Sequence, residues 1–333
     1  MKLRCGKLLT FIGLLCVGLF FTAPADADDS VYQVAYSAEF HPVDGHALAR
    51  IEVVQRGGRL RLLDFNAPPG RYLEFSGNGD VTRSGDRVIW KVPAEGGVLR
   101  YRTPVNNRRG DGFDALMTAD HVLMRLDDLF PPARARTLVG SASEATLLLS
   151  GPEGWSFESG YGRVDRPRAV ANAERRFDRP VGWLVAGNLG VRRDTISDRA
   201  IVVAAPIGSG LRRLDVLAFL NWTLPDLLAI APAFPHRLLI VGGSAQMWRG
   251  ALSAPNSIYL HPARPLVSEN ATSTLLHELV HVAMNASPVA GDDWIAEGLA
   301  EYYSLTLLQR SGGISQRRYQ VALADLREWS ERD

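Results

Sequence analysis

The sequence predicts an α+β protein: an N-terminal antiparallel β-sandwich followed by a short α/β domain. Three observations predict it. From Val31 to about Arg199 the apolar residues recur mainly with the period of two of a half-buried strand. After about Ala200 the period lengthens towards that of a helix. Gly, Pro and Asn punctuate the first stretch at short intervals, as in sheets built from short strands. At 333 residues the chain is long enough for two domains of about 150 residues each. The expected division is 1–27 as a leader, 28–199 as the β-rich part and 200–333 as the helix-bearing part.

The leader comes first. Lys2, Arg4 and Lys7 precede Leu8 to Phe21, a run that is apolar apart from Thr10, and Ala25-Asp26-Ala27 supplies a small-x-small cleavage pattern. Together they read as a secretory signal peptide cut before Asp28. The apolar run would rise only about 21 Å as a helix against a bilayer core of about 30 Å, so no stable membrane anchor is expected after cleavage. Both cysteines, Cys5 and Cys16, fall inside it, which leaves the mature chain without a disulfide, a thiolate ligand or a cysteine nucleophile. An exported chain without disulfides, rich in Arg and Ala, suggests a bacterial periplasmic or secreted product.

In the β-rich part, Arg87 to Val92 alternates cleanly, with Val88, Trp90 and Val92 on one face and Arg87 and Lys91 on the other. Leu48 to Val54, Arg59 to Phe65, Val98 to Thr103, Thr146 to Leu149 and Trp183 to Val185 also read as strands. Pro93-Ala94-Glu95-Gly96-Gly97 looks like a hairpin loop joining Arg87–Val92 to Val98–Thr103. The polar stretch from Asn106 to Asp114 reads as a surface loop.

In the second part, Ile201 to Ala204, His236 to Val241 and Ser257 to Leu260 read as buried strands. Leu211, Leu214, Leu217 and Leu220 recur at near-helical spacing with Ser209 as a cap. Two further helices are expected, one from about Glu269 to Ala286 and one from Asp292 or Asp293 to just before Gly312-Gly313.

Apolar residues make up 46% of the chain and charged residues 22%, an ordinary globular composition. The formal net charge is +1, which gives no electrostatic reason to expect a nucleic-acid partner.

The chemistry lies in the first of the two later helices, in His277-Glu278-Leu279-Val280-His281. Histidines four apart share a helix face, so both imidazoles can reach one ion, and Glu278 one step round can approach a water without occupying the metal. The second helix, Trp294-Ile295-Ala296-Glu297-Gly298-Leu299-Ala300-Glu301-Tyr302, adds a carboxylate where a third ligand is needed. Two His and one Glu leave a fourth zinc position open, the mark of a catalytic site. Gly298 would let the two helices approach closely, and Glu301 would accept the second N–H of a ligand histidine.

Over Trp248 to Tyr303 the chain resembles the gluzincin metallopeptidases, most closely the glycyl aminopeptidase family and the alanyl and leucyl aminopeptidases. The resemblance implies a β-rich domain followed by a thermolysin-like catalytic domain. It implies Zn2+ held by His277, His281 and Glu297, Glu278 as general base, and a peptide or protein substrate. Arg249-Gly250-Ala251-Leu252 and Asn256 to Leu260 look like the edge strand along which such enzymes lay the substrate backbone. The chain departs from the pattern in three places. Only 15 residues, 282–296, separate His281 from Glu297, so the link containing Pro288 and Gly291 must turn tightly. Leu252-Ser253-Ala254-Pro255 holds no acid to grip a free amine, which leaves aminopeptidase and endopeptidase action both open. The transition-state tyrosine has Tyr319 as its best candidate, with Tyr302 and Tyr303 behind it. Of the remaining histidines only His261, after the edge strand, is placed to approach the cleft. The alternative to an enzyme is a non-catalytic zinc-containing binding protein on a peptidase scaffold.

Overall fold

The computed structural model describes residues 30–170, 177–285 and 293–330. The predicted leader, with Cys5 and Cys16, lies outside the described residues, as do Pro288 and Gly291. The chain is an α+β protein, and among the described residues no helix is long and apolar enough to cross a membrane.

The first half runs through β1 (Val31–His41), β2 (His46–Val54), β3 (Leu60–Asn66), β4 (Leu73–Gly77), β5 (Val81–Ser84), β6 (Arg87–Lys91) and β7 (Gly96–Pro104). It continues through β8 (Asn107–Arg109), β9 (Gly112–Met117), β10 (His121–Arg125) and the single helical turn α1 (Leu126–Leu129). Then come β11 (Ala133–Thr137), β12 (Ala142–Ser150), β13 (Ser156–Ser159), β14 (Gly162–Arg163), β15 (Arg168–Val170) and β16 (Trp183–Gly187). The second half holds β17 (Leu189–Ile196), β18 (Arg199–Pro206), α2 (Arg213–Ile230), β19 (Arg237–Val241), β20 (Ala251–Ala254) and β21 (Ser257–Leu260). Helices α3 (Thr274–Met284), α4 (Asp293–Arg310) and α5 (Gln316–Ser330) complete it.

The β-rich half differs from a plain antiparallel sandwich. Its strands form three sheets, ordered β15-β12-β1-β2-β7-β4, β14-β13-β16-β10-β9-β8 and β11-β3-β6-β5. β1 pairs with β12 in parallel, because two strands so far apart in the chain need no hairpin to meet. One core is shared by all three sheets, with Tyr36 and Ile51 from the first, Val122 and Leu184 from the second, and Leu63 and Trp90 from the third.

The strand period of two sets the layering. In β16, Leu184 and Ala186 face that shared core while Trp183 and Val185 face the other way. There they meet Val202, Leu239 and Tyr259 of the five-stranded sheet β17-β18-β19-β21-β20. On the opposite face of that sheet Ile201, Val203, Leu238 and Ile258 pack against the helices. The middle sheet is thus buried on both faces, which is why β16 is apolar without alternation. β17 already belongs to the five-stranded sheet, so the change of sheet falls between Gly187 and Leu189.

Several expectations are corrected. Residues 93–97 are not a hairpin loop, since β6 pairs with β3 and β5 whereas β7 pairs with β2 and β4. The segment crosses from one sheet to another, and Gly96 has φ +102 where a Cβ would lie 2.1 Å from the Val53 carbonyl oxygen. Most of Asn106 to Asp114 is the β8–β9 hairpin rather than a loop. It is locked to the second half by Phe113 N–H to Gln246 O at 3.0 Å and Trp248 N–H to Phe113 O at 2.8 Å. Ser209 does not cap α2, which starts later with Arg212 before it. α3 begins at Thr274 because Ser273 Oγ accepts from Leu276 N–H at 3.3 Å, and it ends where Asn285 turns left-handed at φ 45.

Candidate metal centre

Helix α3 is amphipathic in a way that aims its polar residues at one cleft. Leu275, Leu276, Leu279 and Val280 are buried against the five-stranded sheet and the other helices. His277 and His281 stand one turn apart on the remaining face. Their Nε2 atoms lie 3.0 Å from each other. Glu297 of α4 brings its carboxylate to the same point, with Oε2 3.1 Å from His277 Nε2 and Oε1 3.4 Å from His281 Nε2. One donor atom from each of the three residues lies within 4.8 Å of the other two.

This donor set fits a divalent metal of borderline softness. Two imidazole nitrogens and one carboxylate oxygen are ligands that Zn2+ takes. Bringing two Nε2 atoms and an anion together serves no packing purpose, because only one of the three contacts can use a given imidazole proton. Glu301, one turn after Glu297, places Oε1 3.2 Å from His277 Nδ1, in reach although not in the alignment of a full hydrogen bond. That contact favours the tautomer with the proton on Nδ1 and leaves Nε2 free to ligate. Burial disfavours protonation of His277, but Glu301, then Glu278 and Glu297, outweigh it and raise the pKa of the ring.

Glu278 is buried beside the two histidines, and its Oε2 accepts a 2.7 Å hydrogen bond from the backbone N–H of Ser253. Ser253 is in β20, the edge strand, antiparallel to β21 in the register Ser253↔Ile258. His261 N–H bonds to Gly250 O at 2.9 Å, so residues 250, 252 and 254 turn their backbone groups towards β21. Ser253 therefore presents its backbone groups to the cleft, where Glu278 takes its N–H. The cleft measures about 610 Å3 and is lined by His277, Glu278, His281 and Glu297 on one side and by Leu252 to Asn256 on the other.

The β-rich half holds this edge in place. Trp183 donates from its indole Nε1 to Leu252 O at 2.9 Å and from its backbone N–H to Ser257 Oγ at 2.8 Å. Gly182, at φ +91, lets the chains meet, since a Cβ there would lie 2.6 Å from Pro255 O.

The structure does not bring every predicted residue to the cleft. Tyr319 packs with the helical core, its hydroxyl 3.5 Å from Thr306 Oγ1, and is not among the cleft-lining residues. Tyr302 and Tyr303 pack edge to face on each other and are also outside the lining. His261 is buried, its Nδ1 accepting from Ala263 N–H at 3.1 Å, and it does not line the cleft. Gly298 does not mediate helix approach: nothing lies within 4 Å of a Cβ built there. With Glu297 and Glu301 facing α3, the neighbouring position is turned about 100° away. The anchoring role of Ser253 had no side-chain signature, because the donor is a backbone N–H.

No protein-family model and no curated protein matches the chain. Solved structures do match. An aminopeptidase N family protein from Idiomarina loihiensis superposes with a TM-score of 0.59 at 13% identity, over 86% of this chain and 56% of that one. Yeast leukotriene A4 hydrolase in complex with bestatin matches with a TM-score of 0.53 at 12% identity, over 86% of this chain and 51% of that one. Native leukotriene A4 hydrolase from Saccharomyces cerevisiae matches at 0.52 and 13%, over 91% and 53%. Both kinds of neighbour are gluzincin peptidases, so the resemblance read from Trp248 to Tyr303 holds at the level of fold. Coverage of 86% takes in both halves, which the motif alone did not. The chain spans about half the length of these neighbours.

Proposed function

We propose that the chain is a zinc-dependent peptidase acting outside the cytoplasm, on peptide or protein substrates, with a thermolysin-like catalytic unit that begins at Leu189, with β17, rather than at residue 200. The observation that carries this reading is the convergence of His277, His281 and Glu297 beside a carboxylate, Glu278, hydrogen-bonded to an exposed sheet edge.

His277, His281 and Glu297 would hold the ion, and Glu301 fixes the ring of His277. When bound, zinc supplies the Lewis acidity that brings the pKa of water towards about 7 and polarises a carbonyl. Ser253, whose N–H is held by Glu278, offers its outward carbonyl to an extended substrate, which adds to the sheet edge as a further strand. Glu278 takes a proton from the attacking water and returns it to the leaving nitrogen as the C–N bond breaks. Its bond to Ser253 keeps the second carboxylate oxygen at a fixed distance from a substrate lying on the same strand. The leader pattern in 1–27 supports export, to the periplasm or beyond.

The test is zinc content and peptide cleavage on the mature protein beside Glu278→Gln. Zinc in both proteins with cleavage only in the first is the expected result. Equal cleavage by both would remove Glu278 from the mechanism, and zinc without turnover in either would favour a binding protein.

A further inference from the structure

We infer, resting on the peptidase reading above, that the substrate is an internal stretch of polypeptide, with the residues N-terminal to the cleaved bond lying in an arginine-lined cleft of the β-rich half. The metal-site cleft does not end at the edge strand. A second cleft of about 480 Å3 shares Ser253, Ala254 and Pro255 with it and continues between Arg71, Arg125, Asp127, Asp128 and Arg179. A peptide pairs best antiparallel to an exposed edge. Because β20 runs from Ala251 to Ala254, such a peptide arrives from the Pro255 side with its N-terminal residues in this second cleft.

An enzyme that removes single residues from a free N-terminus needs a wall there and an uncommitted carboxylate for the ammonium group. Neither is found among the described lining residues. The strand segment 251–256 contains no acid. Asp128 has Oδ1 3.3 Å from Arg71 and Oδ2 3.3 Å from Arg125. Asp127 has Oδ1 3.4 Å from Arg179, and its Oδ2 accepts from Gly182 N–H at 2.8 Å. All four oxygens of Asp127 and Asp128 are engaged, so neither carboxylate is free to take an incoming ammonium. A guanidinium has five N–H donors. Arg71, with one nitrogen on Asp128, therefore keeps donors for the carbonyl groups or acidic side chains of a chain passing through.

The experiment uses the zinc-loaded full chain and one peptide in two forms, N-acetylated and with a free amine, extending several residues on each side of the cleaved bond. Cleavage of the acetylated form at least as fast as the free form is expected. A loss of about tenfold or more in kcat/KM on acetylation, the size of one lost ionic contact, would overturn the inference and leave the peptidase reading intact. Turnover of neither form, with zinc bound, would overturn both. Arg71→Ala supplies the second measurement. The ratio of kcat/KM for the long peptide to that for one truncated on its N-terminal side should fall roughly tenfold, the value of one charge-assisted hydrogen bond. An unchanged ratio with a lowered melting temperature would show a purely structural arginine and overturn the assignment of this cleft.

Discussion

Ser253 donates its backbone N–H to Glu278 Oε2 across 2.7 Å, so the side chain expected to move protons is tied to the strand expected to hold substrate. The two elements come from different parts of the second half, α3 and β20, and the bond sets the width of the cleft between them.

Ser253→Pro tests that tie. The N–H it removes faces the cleft and not β21, and proline is tolerated on an edge strand in that orientation. The variant should fold with a melting temperature near the native one yet lose roughly tenfold in kcat, the effect of one misplaced catalytic hydrogen bond. Ser253→Ala, which keeps the N–H, should be nearly unaffected. Equal losses in the two variants would mean that the side chain and not the backbone matters.

Glu301→Gln addresses the orientation of His277. Partners of this kind typically contribute roughly 10- to 100-fold in metal affinity or activity. Zinc competition with a chelating dye should show weaker binding without a change in fold. Native affinity would mean that the 3.2 Å contact with His277 Nδ1 does not orient the ring.

Ser273→Ala removes the cap of α3, the helix that carries both histidines. A loss of about 1 kcal/mol is expected from urea unfolding. No loss would mean that tertiary packing of Leu275, Leu276 and Leu279 alone sets the start of the helix.

Glu158 gives a pH signature at the junction of the two halves. Its side chain is almost wholly buried, paired with Arg193 and 3.8 Å from Arg237, both in the second half. Burial raises its pKa above the ordinary 4.5, and the attraction of Arg193 and Arg237 offsets this only in part. The folded state thus keeps the proton to higher pH than the unfolded chain does. Its contribution to stability is therefore lost as pH rises upward from 4.5. Glu158→Gln should flatten the fall in melting temperature over that window. Parallel curves for the two proteins would show that Glu158 does not titrate there.

Much of the site was legible in the sequence because its signals are local. The four-residue spacing of His277 and His281, and of Glu297 and Glu301, fixes which face of each helix they share. What remained hidden depends on contacts between distant segments. Ser253 reaches Glu278 through its backbone, and Arg71, Arg125 and Arg179 meet only when three parts of the first half fold together. Residues 93–97 carry the composition of a hairpin loop, and only pairing with β2 and β4 on one side and β3 and β5 on the other reveals a crossing between sheets. Gly298 beside a ligand suggested close packing, but its direction on α4 turns it to solvent.

The most direct test of the account is zinc removal and return. The protein, stripped with a chelator and titrated with Zn2+, should lose peptide cleavage and regain it in proportion to metal up to about one ion per chain, as for a single His2Glu centre. Cleavage that survives complete stripping, or zinc that binds equally well after His277→Ala and His281→Ala, would contradict it.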